Sequence, residues 1–285
     1  MLKSVALVVN RHISRGLVEP VVKRILKWLE VRDASACILD ATHTTGECPI
    51  CPENVLDNVD FALALGGDGT VLSTARMVAP AGVPILGVRL GQLGFLSEIE
   101  PHDLELALEK LERGKYFLEE RRMLEATVMH AGQMVYSGIC LNDVVVSKGV
   151  LLRPVEIGLD IDDERVTAYY GDGLIVSTPT GSTAYSLSAG GPLLAPDVNG
   201  VVITPLCAHN LFARPLVVGL DDLIRVHLLK SQKGTMCILD GQESHPLDEG
   251  DEILIQASPD VARLVRFTRW SFFHVLREKL GTRDA

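Results

Sequence analysis

Phe61-Ala62-Leu63-Ala64-Leu65-Gly66-Gly67-Asp68-Gly69-Thr70-Val71-Leu72 decides the fold. The five apolar residues read as a buried strand, the glycines as a sharp turn, and Val71-Leu72 as the opening of a helix. Strand, glycine turn and helix N-terminus together make a place where phosphate sits, because backbone N–H groups approach a ligand with no Cβ in the way. Gly66, Gly67, Gly69 and Thr70 are therefore candidate phosphate-binding residues. Asp68 does not suit a simple phosphate cradle, since a carboxylate repels phosphate unless a metal or a transferable proton stands between them. It points instead to phosphoryl transfer onto a hydroxyl, with Asp68 as the candidate catalytic group. An ordinary glycine turn with a helix-capping Asp would leave the same five letters.

Working outward, strand and helix signals alternate through the first third. Val5 to Val9, Ala36 to Leu39, Phe61 to Leu65 and Pro84 to Val88 predict strands, and Val22, Ile25, Leu26 and Leu29 give Val18 to Glu30 helical spacing. Further helices are expected after Asp68 and from Asp103 to Arg113. This order predicts a parallel sheet covered by helices, with ligands beyond the carboxyl ends of the strands, where Asp68 lies. Arg89 directly follows the fourth strand and should share that edge. Its guanidinium suits either phosphate oxygens or an ion pair with a neighbour such as Glu98.

After about Tyr116 the period changes to two. Val155, Ile157, Leu159 and Ile161 alternate with smaller or polar residues, Asp162-Asp163-Glu164 turns the chain, and Val166 to Tyr170, Leu223 to Leu229 and Asp251 to Ile255 repeat the pattern. The expected division is 1–115 as an α/β Rossmann-like domain, joined by the C-terminal helix 268–285, and 116–267 as a β-rich, antiparallel, sandwich-like domain. Trp270 to Arg277 carries the signal for that helix.

A net charge of −10 argues against binding to nucleic acid or an anionic membrane, and no segment has membrane-spanning length or a signal-peptide pattern, so a cytoplasmic protein is expected. Cys37, Cys140, Cys207 and Cys237 stand singly in apolar contexts and read as core residues of a reducing compartment. Cys48-Pro49-Ile50-Cys51 has metal or redox spacing but no second pair, and no metal site is expected from it.

The second half holds one unusual segment, Tyr170 to Ser186, in which the strand Leu174 to Ser177 feeds a Pro/Gly loop crowded with hydroxyl residues. Such a loop suits ribose hydroxyls and an amide group, with Tyr185 able to stack on a ring, although local turn-forming hydrogen bonds would use the same residues. Asn142-Asp143, before the strand Val144 to Val146, either reads ribose hydroxyls or ends a turn. Asp240-Gly241 is a turn signal.

These segments resemble the NAD kinase family across nearly the whole chain and in the right order. The matching stretches are Gly66 to Thr70, Gly87 to Leu96, Glu120 to Leu124, Leu141 to Val144, Asp172 to Pro192, Thr204 to Pro215, Asp240-Gly241-Gln242 and Leu276 to Leu280. The resemblance implies ATP-dependent phosphorylation of the 2′-hydroxyl on the adenosine ribose of NAD. It implies Asp68 as the catalytic carboxylate, Gly69 beside it, and Phe95 as a wall of the NAD pocket. Asn142 and Asp143 match the ribose pair and Asp172 an acidic residue near the nicotinamide. Thr183, Ala184, Tyr185 and Ser188 match the loop around the adenine and amide groups, Arg153 and Gln242 further NAD contacts, and His209 the histidine after the Thr-Pro strand. Magnesium or another divalent cation accompanies ATP, and a homodimer or homotetramer is implied.

Arg89 stands where Asn or His is usual, Tyr170 where Arg or another polar residue is, and Ala208 where Pro is. Two rival readings share parts of the pattern: a lipid kinase of the diacylglycerol-kinase type, which has the same glycine-acid turn, and a dinucleotide sensor without turnover.

Overall fold

The structure, a computed structural model, describes residues 2–10, 12–42, 55–92, 94–149, 153–209, 213–231, 233–268 and 272–280. Cys48 and Cys51 lie outside the described residues, as do Trp270 and Ser271. The chain forms two units, Met1–Glu120 with Val261–Ala285, and Arg121–Asp260. The first contains β1 (Ser4–Val9), α1 (Arg15–Glu30), β2 (Ser35–Asp40), β3 (Phe61–Gly66), α2 (Asp68–Val78), β4 (Ile85–Arg89) and α3 (Leu104–Glu112). Strand β5 (Phe117–His130) carries the chain into the second unit. There follow β6 (Gln133–Cys140), β7 (Asp143–Ser147), β8 (Val155–Ile161), β9 (Glu164–Gly171), β10 (Gly173–Ser177), α4 (Tyr185–Ser188), β11 (Gly200–Leu206), β12 (Leu216–Gly219), β13 (Ile224–Lys230), β14 (Met236–Leu239) and β15 (Glu243–Pro246). Strand β16 (Glu252–Arg266) returns the chain to the first unit, where α5 (Phe272–Leu280) follows.

In the first unit the strand order is β2-β1-β3-β4, all parallel, and Leu264 of β16 pairs in parallel with Ile85. Val5, Leu7, Leu63, Leu65 and Leu86 form one cluster with Val21, Ile25 and Leu29 of α1 and Leu104 and Leu108 of α3. The period of two sends Ala6, Ala62, Ala64 and Gly87 to the opposite face. Their small size lets α2 lie close, with Val71 Cγ2 only 3.3 Å from where a Cβ on Gly87 would stand. Gly66 pairs with Arg89, so Arg89 lies at the strand ends beside the start of α2.

The second unit is β-rich. One antiparallel sheet has the order β12-β11-β10-β7-β14-β15. Its Val144, Val146, Leu174, Val176, Val201 and Ile203 pack against Ile157, Leu159, Ile224, Val226, Ile253 and Ile255 of the antiparallel strands β8, β13 and β16. Two sheets packed through alternate residues make a sandwich. Val145 and Ile175 point the other way and meet Leu206, so β7 is buried on both faces.

The expected classes agree with this architecture, and two local expectations do not. The strand expected to end at Ile255 continues to Arg266. That single strand runs through Ser258-Pro259-Asp260. Cys207 is exposed rather than in the core, at a φ of +45° just past the end of β11. Cys140 and Cys237 are buried, and burial pushes the Cys237 thiol up to about 12.

A buried ionic cluster ties the first unit together. Arg266 Nε donates to Glu119 at 2.6 Å, and its Nη1 to both Glu98 and the Leu96 carbonyl at 3.2 Å. Glu98, only 8% exposed, also accepts the Phe267 N–H at 2.8 Å. Burial pushes the Glu98 carboxyl above its usual range, and Arg266 pulls against that shift. Replacing Arg266 with Met keeps the side-chain bulk but leaves Glu98 without its cation, so Arg266→Met should destabilise the protein by about 3 kcal/mol. A urea titration that gives an unchanged midpoint would mean that water already screens Glu98.

Candidate active site

Asp68 is the first residue of α2, after Gly67 in extended backbone. Its Oδ2 accepts the Phe95 N–H at 2.7 Å and its Oδ1 the Leu96 N–H at 3.1 Å. None of Gly66, Gly67 and Gly69 adopts a positive φ. Gly66 is required for another reason: a Cβ there would lie 2.1 Å from Thr70 Oγ1 and 2.9 Å from Ile13 Cδ1. A Cβ at Gly67 would meet nothing within 4 Å, which leaves that face open to a ligand. Gly69 is exposed, while Thr70 is buried with its hydroxyl packed over Gly66.

Sequence reasoning missed Gly94. A Cβ on Gly94 would stand 1.8 Å from Asp68 Oδ1, so the carboxylate reaches the loop amides only because this residue has no side chain. The Gly-Phe step before Leu96 was visible in sequence, but its reason lies in a contact with a distant residue. Arg89 forms an ion pair with Glu100, not with Glu98, which Arg266 occupies. Phe95 is half-buried and its ring faces Phe272.

The second unit gathers a separate group. Asp240 and Gly241 have φ of +52° and +66°, and the Gln242 N–H donates to the Leu239 carbonyl at 2.9 Å, which makes a type I′ turn between β14 and β15. The turn aims the Asp240 carboxylate at the start of β7, where it accepts the N–H groups of Leu141 (3.1 Å), Asn142 (2.7 Å) and Asp143 (3.3 Å). Asp143 opens a strand buried on both faces and is itself buried. Loss of water, and then the neighbouring Asp240 charge, raise its carboxyl to about 7.

The Asn142 carbonyl accepts the Thr178 N–H at 2.9 Å, which joins β7 to the hydroxyl-rich loop. Most of that loop's hydroxyls build the loop itself. Thr178 donates to the Leu141 carbonyl (2.6 Å), Ser182 to Pro179 (2.6 Å), Thr183 to Thr180 (3.1 Å), and Ser186 pairs with Thr204 (2.9 Å). Buried Arg121, within the stretch Glu120 to Leu124, donates to Thr180 Oγ1 at 3.3 Å and was missed as a support of the loop. Tyr185 and Ser188 stand exposed, and Ala184 is half-buried.

Asp172 forms a 2.5 Å ion pair with Lys148, a partner that sequence reasoning did not name. His209 is exposed and meets Tyr170 edge to face, with ring centroids 5.4 Å apart. Gln242 and Arg153 are exposed. Among the described residues, no group of three or more His, Cys, Asp or Glu is placed to hold a metal ion, and no helix is long and apolar enough to cross a membrane.

The Asp143 shift has a measurable consequence. From about pH 4 to 7 the folded protein keeps a proton on Asp143 that the unfolded chain has released, so raising the pH through this window costs stability. Asp143→Asn, neutral at every pH, should raise the melting temperature at pH 8 by at least ~2 °C, with the gain vanishing toward pH 4. Parallel stability curves for the two proteins would mean that Asp143 ionises freely in the fold.

Comparison with known proteins covers both units. The family description "ATP-NAD kinase N-terminal domain" matches residues 50–116, and "ATP-NAD kinase C-terminal domain" matches residues 141–267. The NAD kinase of Desulforamulus reducens is 42% identical over 282 residues, 98% of this chain and 97% of that protein. An NAD kinase from Archaeoglobus fulgidus, solved in complex with ATP, superposes with a TM-score of 0.72 at 26% identity, covering 97% of this chain and 98% of the other. Yeast NADH kinase complexed with NADH superposes at 0.84 over 100% of this chain and 89% of its own, and at 22% identity it speaks for the fold. Neither a lipid kinase nor a dinucleotide sensor without turnover finds support in these matches. With both family domains matched and a relative of this identity along almost the full length, the chain belongs to the NAD kinase family.

Proposed function

We infer that this protein transfers the γ-phosphate of ATP to the 2′-hydroxyl of the adenosine ribose of NAD, forming NADP and ADP. The observation that carries the reading is Asp68, a carboxylate at the N-terminus of α2, directly after an open glycine turn and steadied by two loop amides. The α/β unit takes the phosphoryl-transfer role. The positive end of the α2 dipole attracts the donor phosphates to the turn at Gly66 to Thr70. Each oxygen of Asp68 accepts one amide hydrogen and keeps lone-pair capacity for the 2′-hydroxyl.

In a loose transition state the nucleophile's proton leaves late, so a weakly basic carboxylate suffices. Asp68 orients the 2′-oxygen, the new oxygen–phosphorus bond forms as the β–γ bridge breaks toward ADP, and the proton passes to Asp68 and then to water. Magnesium bound with ATP would offset the repulsion between the phosphates and Asp68. Arg89 reaches donor phosphate only by giving up Glu100, so its contribution to ATP binding is modest.

The β-rich unit takes the NAD-holding role. Asn142 and Asp143 hold ribose hydroxyls, with Asp240 fixing the backbone that presents them. A buried carboxyl raised to about 7 donates or accepts a hydrogen bond according to the hydroxyl it meets. The exposed Tyr185 ring offers a stacking face, and Thr183, Ala184 and Ser188 line the same loop. Asp172, Arg153, Gln242 and His209 supply further contacts, and Phe95 a wall. The family resemblance also supports a cytoplasmic homodimer or homotetramer.

A coupled assay that detects NADP formed from NAD, ATP and magnesium tests the reading, and absence of NADP with intact NAD binding would leave a sensor. Asp68→Asn should retain NAD binding and lose turnover by about 10² to 10⁴, the range for a positioned acid–base group. Gly94→Ala should displace the same carboxylate without removing it and cost about 10² in turnover. Normal turnover in either folded variant would remove Asp68 from the chemistry.

A further inference from the structure

The loop that steadies Asp68 is itself held by residues from the far end of the chain. Phe95, whose N–H donates to Asp68, has the ammonium of Lys279 4.4 Å from its ring centroid and the Phe272 ring at 6.5 Å, tilted by 34°. The next residues are tied to the end of β16: Leu96 gives its carbonyl to Arg266, and Glu98 accepts from Arg266 and from the Phe267 N–H. The segment Gly94 to Glu98 thus rests on α5 at one end and on Arg266 and Phe267 at the other. The Arg266 end is a buried ionic cluster that serves the whole unit. The Lys279 end is different: Lys279 is half-buried, and among the described residues no carboxylate forms an ion pair with it, so its charge is directed to the Phe95 ring.

We propose that Lys279 is a positioning residue for phosphoryl transfer, fixing the Phe95 ring and through it the two amides that orient the Asp68 carboxylate. Phe272 and Lys279 of α5 both meet that ring, and the Phe95 amide makes the shorter of the two bonds to Asp68. Loss of the cation frees the ring, lets the backbone of Phe95 and Leu96 open, and leaves Asp68 without its fixed direction.

The test compares the parent with Lys279→Met, which keeps the apolar stem, and with Lys279→Arg, whose guanidinium also sits over an aromatic face. Hydrogen exchange of the Phe95 and Leu96 amides should be about fivefold faster in the Met variant and restored in the Arg variant, with β3 and β4 unchanged. In parallel, kcat should fall by a similar factor while the Michaelis constant for ATP and the melting temperature hold. Unchanged exchange at Phe95 and Leu96 overturns the proposal, as does faster exchange throughout the unit, which would make Lys279 a general stabiliser. The kinetic arm rests on the NAD kinase reading and the exchange arm does not, so failure of one is distinguishable from failure of the other.

Discussion

Two amide hydrogens on one carboxylate organise the α/β unit. Asp68 begins α2 and is fastened to Phe95 and Leu96, which come after the next strand. That bond sets demands on its surroundings. The loop must approach without a side chain at Gly94, α2 must lie close enough to the sheet to bring Asp68 within reach, and small residues at Ala62, Ala64 and Gly87 permit the approach. The loop must then be held from behind, which Arg266 does through the Leu96 carbonyl. Each demand is steric or electrostatic, and each falls on a residue with no direct part in the chemistry.

The β-rich unit solves a similar problem with the opposite material. Asp240 is a carboxylate used as scaffolding, accepting three backbone amides, and it presents Asn142 and Asp143 at the head of a strand buried on both faces. Two acids so close in a dry setting cannot both carry charge cheaply, and the one with fewer donors, Asp143, yields. A type I′ turn that reads as routine in sequence is thereby the support of Asn142 and Asp143.

What was legible in the sequence was whatever repeats or runs locally. The apolar strands around Val5, Phe61 and Ile85, the change of period after Tyr116, and the glycine-acid turn all lay on the page. Long-range pairings did not. Arg89 with Glu100 in place of Glu98 differs by a single side chain's reach, which no pattern encodes. The need for Gly94 arises from Asp68, and the raised carboxyl of Asp143 from burial on two faces that only the sandwich creates. The reach of β16 past Ile255 was not legible, because the alternation of apolar residues breaks at Ser258-Pro259-Asp260 although the strand continues. The hydroxyl-rich loop was conspicuous, yet composition could not say that Thr178, Ser182 and Ser186 are spent on its own architecture.

The α/β unit is discontinuous, assembled from residues before 121 and after 260, whereas the β-rich unit is one unbroken stretch. During synthesis, the β-rich unit has all its residues before the α/β unit has its own, since Arg266, Phe267 and the α5 anchors follow it in the chain. The nascent chain therefore carries its Asp68 loop without Arg266 for the time a ribosome needs to make roughly 170 residues, several seconds or more at typical elongation rates of about 5–20 residues per second. The Asp68 carboxylate therefore gains its full set of supports only after the segment that follows the β-rich unit has been made.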